Sequence, residues 1–216
     1  PGAPAPVAPA RPPFAFTATA PPGYEALRGD APSLRDDLLA LVARTDLWPA
    51  LDERRRRGLA ATVSAVADAT QLTGAVAVLV RFAEAPTTTG ARAGARAGAR
   101  AGARAGAGAP DVSTLSLTWL RTAPVLADLD LARLVVPSQE QVPTGLGPGV
   151  VARRIEDAPG GQERVTPQVA APLPGSTWLA VLTGSTTDLD RAPAMDDALL
   201  AFAASLRVDR PAPAPG

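Results

Sequence analysis

The chain contains no cysteine and no histidine. Lysine and asparagine are missing too, so every basic residue is an arginine. These absences close off much chemistry. A Ser-His-Asp triad, a Cys-His or Ser-Lys pair and a Schiff-base amine are all impossible. A Walker-type phosphate loop needs a lysine that the chain does not have. Zinc sites of imidazole or thiolate cannot form, and neither can disulfides. Aromatics are only 4% of the residues, so a core must be built from Leu, Val and Ala. No apolar run, Ala75 to Val80 included, approaches the ~20 residues of a membrane-spanning helix. No secretory signal is visible, and a cytoplasmic location is expected. The sequence begins at Pro1 without a Met, so an upstream segment is compatible with it.

What is present supports a folded domain. The chain has 216 residues, 46% of them hydrophobic, enough to bury a core. Its 21 basic residues balance 21 acidic ones, so there is no global attraction to polyanions. The excess of Ala, Gly, Pro and Val, with a single isoleucine at Ile155, has the texture of a GC-rich coding bias.

Periodicity lays out the elements. Residues 1–12 and 209–216 are Pro/Ala-rich and read as disordered tails around a single α+β domain over 13–208. Phe14–Thr19 alternates as a first strand. Ser33, with Asp36 three residues on, suggests a partial capping box for a helix running to about Arg44. A second helix is expected from Asp46 and Pro49, with Gly58 breaking it in two. Val76, Val78, Val80 and Phe82 alternate in one strand, and Leu115, Leu117 and Trp119 in the next. The two form a hairpin whose loop runs from about Glu84 to Asp111. A short helix is expected near Val125–Leu134. Strands at Val150–Glu156, Arg164–Ala171 and Trp178–Thr183 are joined by the turns Pro159–Gly161 and Pro174–Gly175 as an antiparallel meander. A last helix, Ala194 to Val208, carries the stripe Met195, Leu199, Phe202 and Leu206. The sum is an α+β sandwich: an antiparallel sheet of about six strands flanked by helices.

The insert at 86–110 contains an Ala-Arg-Ala-Gly repeat with Arg92, Arg96, Arg100 and Arg104. Gly at every fourth position costs about 1 kcal/mol each in a helix, so disorder is expected. The repeat could tether an anion, but no aromatic interleaves the arginines for stacking on bases. Replication slippage in a GC-rich gene explains it without any function, because a longer loop adds only about 0.6 kcal/mol per doubling.

The remaining chemistry is carboxylate chemistry. Asp128 and Asp130, Asp188 and Asp190, Asp36 and Asp37, and Asp196 and Asp197 are close pairs. They could bind a hard cation or act as a glycosidase pair. Each lies at or near an expected helix start, where capping and the helix dipole favour acids. Arg54, Arg55, Arg56 and Arg57 span a full helical turn and cannot all face one partner. Trp48, Trp119 and Trp178 read as core or edge-of-core residues, with Trp48 as a hydrophobic staple. The turns at Gly145, Gly147 and Gly149 and at Gly160 and Gly161 lack the strand-to-helix context of a nucleotide loop. No catalytic, cofactor-binding or metal-binding residue is assigned.

From Gly145 onward the texture resembles a known family. The segments "GVVARRIED", "QVAAPLPGSTWLAVLTGSTTDL" and "DDALLAFAASLRV" resemble the C-terminal part of small actinobacterial proteins with a PsbP/LpqN-like sandwich. The resemblance covers about the last third of the chain. The N-terminal half also resembles such proteins, in which an Arg-rich helix precedes the first hairpin strand. The resemblance implies an antiparallel sheet flanked by helices and a non-enzymatic binding or accessory role. It supplies no functional residues, and no lipobox cysteine accompanies it. The expected function is a non-enzymatic accessory or protein-interaction domain with a protein partner. A carboxylate-based enzyme or small-molecule binder, and a polyanion binder using the Arg-rich segments, are the alternatives. Neither nucleic acid nor a membrane span is expected.

Overall fold

The computed structural model describes residues 11–83, 111–121, 140–158, 162–186 and 188–209. The chain opens with strand β1 (Ala15–Thr17) and β2 (Glu25–Arg28), followed by helices α1 (Leu34–Ala43), α2 (Leu47–Ala50) and α3 (Glu53–Thr73). Strands β3 (Ala77–Ala83), β4 (Asp111–Arg121), β5 (Glu140–Thr144), β6 (Gly147–Ala158), β7 (Gln162–Pro172) and β8 (Trp178–Ser185) come next. A 3₁₀ turn (Leu189–Arg191), helix α4 (Ala192–Ser205) and strand β9 (Arg207–Asp209) close it. Seven strands form one antiparallel sheet in the order β2-β3-β4-β8-β7-β6-β5, and β1 pairs with β9 in a separate two-stranded sheet. The fold is α+β, with the sheet flanked by helices.

Two clusters of apolar side chains pack on opposite sides of the sheet. On one side Leu115, Leu117 and Trp119 of β4, Ala180 and Leu182 of β8 and Val169 of β7 meet Met195, Leu199, Phe202 and Leu206. On the other, Val78 and Val80 of β3 and Val112 of β4 meet Leu34, Leu38 and Val42 of α1 and Leu59, Val63 and Ala67 of α3. Strand β3 feeds both clusters, because Leu79 belongs to the first. Each fully buried Leu or Val contributes about 1.5–3 kcal/mol relative to exposure.

The β3–β4 hairpin and the β6–β7–β8 meander match the periodicity. Several details differ. Among the described residues the sheet has seven strands: β2 and β5 add an edge on either side of five expected strands, while the expected first strand, β1, leaves the sheet and pairs with β9. Helix α3 runs unbroken through Gly58. The break lies earlier, where Leu51 is extended and Asp52 caps α3 by accepting the Arg55 N–H at 2.8 Å. Ser33 sits at the start of α1 but makes no cap bond; its hydroxyl donates to Asp37 at 2.8 Å. The last helix ends at Ser205, since Leu206 is extended and the chain then pairs with β1. Asp209 therefore belongs to β9, opposite Ala15, and not to a tail. The Arg-Ala-Gly insert, the helix expected near Val125–Leu134, the Pro159–Gly161 turn and most of both tails lie outside the described residues. Among the described residues, no helix is long and apolar enough to cross a membrane.

Candidate functional site

Along β4, Asp111, Ser113, Leu115, Leu117 and Trp119 share one face, and all five are buried. The first two are polar, so the apolar row ends in a polar one. Ser113 stands opposite Arg81 of β3. One step beyond the last registered pairs, Tyr24 falls beside Arg81 and Thr186 beside Ser113. A polar row thus crosses four strands on the face that α4 covers.

Its bonds close on Asp111, which is 2% exposed. The Ser113 hydroxyl donates to one Asp111 carboxylate oxygen at 2.9 Å, and the Thr186 hydroxyl donates to the other at 3.0 Å. The Asp188 N–H donates to Thr186 Oγ1 at 3.2 Å. Arg191 lies 3.3 Å from Asp188 and 3.9 Å from Asp111, joining the entry of α4 to the start of β4. The Arg81 guanidinium sits 5.1 Å from the centre of the Tyr24 ring, a cation–π contact, and reaches Ser113 at 3.5 Å. Burial pushes the Tyr24 phenol above its usual pKa, while the Arg81 charge and nearby Ser113 pull it back. Ser113 acts on the phenol by proximity, because the two hydroxyls do not meet in hydrogen-bonding geometry.

The structure separates the acidic pairs. Asp188 Oδ1 accepts the Asp190 N–H at 3.0 Å at the start of the 3₁₀ turn, a capping arrangement. Asp37 is held by Ser33, and both acids of that pair lie in the first turn of α1. Helix α4 starts at Ala192, so Asp196 and Asp197 lie beyond its first turn and do not cap it. Asp196 instead accepts from Arg153 at 2.7 Å, and that bond raises the Arg153 pKa. Asp128 and Asp130 fall outside the described residues, as do Arg92, Arg96, Arg100, Arg104, Gly160 and Gly161. Asp30, bonded to Arg28, has a lowered pKa at the exposed end of β2. Among the described residues, no three acids come together as a metal would require.

The arginine run is divided among local partners. Arg56 packs over Trp48, 5.7 Å from its ring centre, and donates to the Trp48 carbonyl at 3.1 Å. Arg55 pairs with Asp52, and Arg57 lies 3.9 Å from Glu53. Trp119 is fully buried, with Phe14 edge-on at 5.0 Å, and Phe14 also meets Trp178 at 5.6 Å. Gly145 and Gly147 lie at a β5–β6 hairpin turn, not between a strand and a helix. A Cβ at Gly145 would collide with the Leu206 carbonyl, so this turn docks on the end of α4.

Compared with known proteins, the chain matches no family model and no curated protein.

Proposed function

We propose that this chain is a non-enzymatic protein-interaction domain of PsbP/LpqN-like architecture. One observation carries the reading. The buried carboxylate among the described residues, Asp111, commits both oxygens to hydroxyls of its own chain. A general acid or base needs a carboxylate oxygen within hydrogen-bond reach of a substrate, and a cation ligand needs one free to coordinate. This one ties strands together. The acid pairs dispersed to caps and ion pairs support the same reading, and the helix-flanked antiparallel sheet with its terminal helix supports the family likeness. Fold alone does not fix function, so the test addresses the site.

The test is thermal denaturation of the full chain with millimolar Mg²⁺, Ca²⁺, nucleotides, sugars and heparin. The expected result is no rise in melting temperature with any of them. A rise of several degrees that Asp111→Asn abolishes overturns the reading in favour of a carboxylate site. A rise with heparin, lost in Arg54→Glu, overturns it in favour of polyanion binding.

A further inference from the structure

Strand β1 stands apart from the rest of the fold. It takes no place in the seven-stranded sheet, and among the described residues it pairs with β9 alone, over Ala15–Asp209, Phe16–Val208 and Thr17–Arg207. A two-stranded ladder this short is marginal by itself. Ala15, Thr17, Ala18 and Thr19 are exposed, while Phe14 and Phe16 are half-buried against the first apolar cluster. The fully buried members of that cluster begin at Tyr24, so the segment before it is laid on a core that is built without it. A turn closed by the Tyr24 N–H on the Pro21 carbonyl at 3.1 Å joins this strap to β2. The strap can therefore lift away by giving up the β9 ladder and the bond from the Thr19 N–H to Ser205 Oγ at 2.9 Å, with every ladder of the main sheet intact.

Beneath the strap lies an aromatic floor. Trp119 of β4 stands opposite Ala180 of β8, and Trp178 lies two residues before Ala180, on the same face. Phe14 meets both indoles edge-on, and Phe16 is tilted against Trp119 at 5.9 Å. The fit is incomplete in one respect. Trp119 is fully buried, yet its indole N–H has no hydrogen-bond acceptor. Buried donors are nearly always paired, because an unpaired one has given up water for nothing. A phenylalanine ring offers an indole at best a weak N–H···π contact. The floor thus supplies a donor that its present occupant leaves unused.

We propose that this floor is a docking groove for an extended segment of a partner protein with two aromatic residues two positions apart, and that the Phe14–Phe16 strap is its internal placeholder. The proposal rests on the interaction reading and names the surface and the class of partner. An extended segment alternates its side chains, so residues i and i+2 reach the floor together while the backbone takes the place of β1 beside β9. A partner group that accepts from the Trp119 indole makes a bond that the strap does not. The tethered strap competes at a high effective concentration. Docking therefore favours a segment that binds the floor better than the strap does.

Fluorescence anisotropy of a labelled peptide of residues 11–20, titrated with the full chain, tests this. Ala15→Cys with Asp209→Cys places the only two cysteines at opposed, exposed positions of the β1–β9 ladder. Paired Cα atoms across such a ladder lie within disulfide reach, so oxidation locks the strap in place. The reduced variant is expected to bind the peptide, and oxidation is expected to weaken that binding by at least about tenfold. A peptide with alanine at both phenylalanine positions is expected to bind neither form. In the full chain, Phe14→Ala with Phe16→Ala weakens the competing strap and is expected to bind the unaltered peptide at least about tenfold more tightly than the wild type. Circular dichroism checks the fold of that variant. If it does not fold, the cysteine pair, which leaves the apolar cluster untouched, carries the test. Equal binding by the locked and unlocked forms, no binding at millimolar peptide or binding that survives loss of both phenylalanines overturns the proposal. Oxidation that links two chains together places a second copy's strap in the groove and also overturns it. Any of these results removes this groove only; the interaction reading falls by the ligand-induced thermal shifts.

Discussion

Strands β4 and β6 have similar lengths, over residues 111–121 and 147–158, but different surroundings. β4 lies between β3 and β8, with apolar clusters packed on both sides of the sheet. Among the described residues, the far half of β6 pairs with β7 alone. β4 is also the richer in strand formers, with Val112, Thr114, Thr118 and Trp119, whereas β6 opens on Gly147, Pro148 and Gly149. β4 is held by a strand on either side, whereas for the far β6–β7 arm the described pairing is that one ladder.

Substitutions test this contrast. Trp119→Ala should cost about 3–5 kcal/mol in urea unfolding, because it empties the meeting point of β4, Phe14 and Phe16. Asp111→Ala should cost about 3 kcal/mol by the same measurement, since Ser113, Thr186 and Arg191 lose a shared buried partner. Asp52→Ala removes the cap of α3 and should cost about 1 kcal/mol. Arg153→Ala, where β6 leaves β5, removes exposed ion pairs to Asp196 and Glu140 and should lower stability in urea unfolding by no more than about 0.5 kcal/mol. A larger loss there would mean that these ion pairs are integral to the folded core.

Tyr24 offers a pH-dependent view of the packed half. It is the only tyrosine, so its ionisation can be followed by ultraviolet absorbance. Its folded pKa is raised above the unfolded value. Its contribution to stability is therefore complete below about pH 10 and is lost as pH rises through the folded value. The expected outcome is phenolate absorbance appearing above pH ~10, together with unfolding. Titration at the free value without unfolding would show that Tyr24 is not buried in solution.

The parts legible in the sequence were those with strong period and bulky residues. The row Leu115, Leu117 and Trp119 and the stripe Met195, Leu199 and Phe202 announce their faces directly. β2 was missed because Glu-Ala-Leu-Arg favours helix in isolation and becomes a strand only by pairing with β3. β5 was missed because it is polar and carries Pro143, which is tolerated at a sheet edge. Gly58 failed as a breaker because one glycine in a long helix costs only about 1 kcal/mol, less than the burial of Leu59 and Val63 returns. The buried polar row was hidden because Asp111 and Thr186 are far apart in sequence and meet only through strand order. The available signal was that Asp111 and Ser113 continue the alternation of the apolar row.

Ala83 and Asp111 stand directly opposite each other in the β3–β4 register. The two ends of the intervening span therefore lie about one strand spacing apart, roughly 5 Å. Polypeptide of almost any length can bridge that gap without disturbing a ladder bond. An insertion there costs only about 0.6 kcal/mol per doubling of its length. For an engineer, it is a port where a tag, a reporter or a whole folded domain can be spliced in, with its ends already side by side.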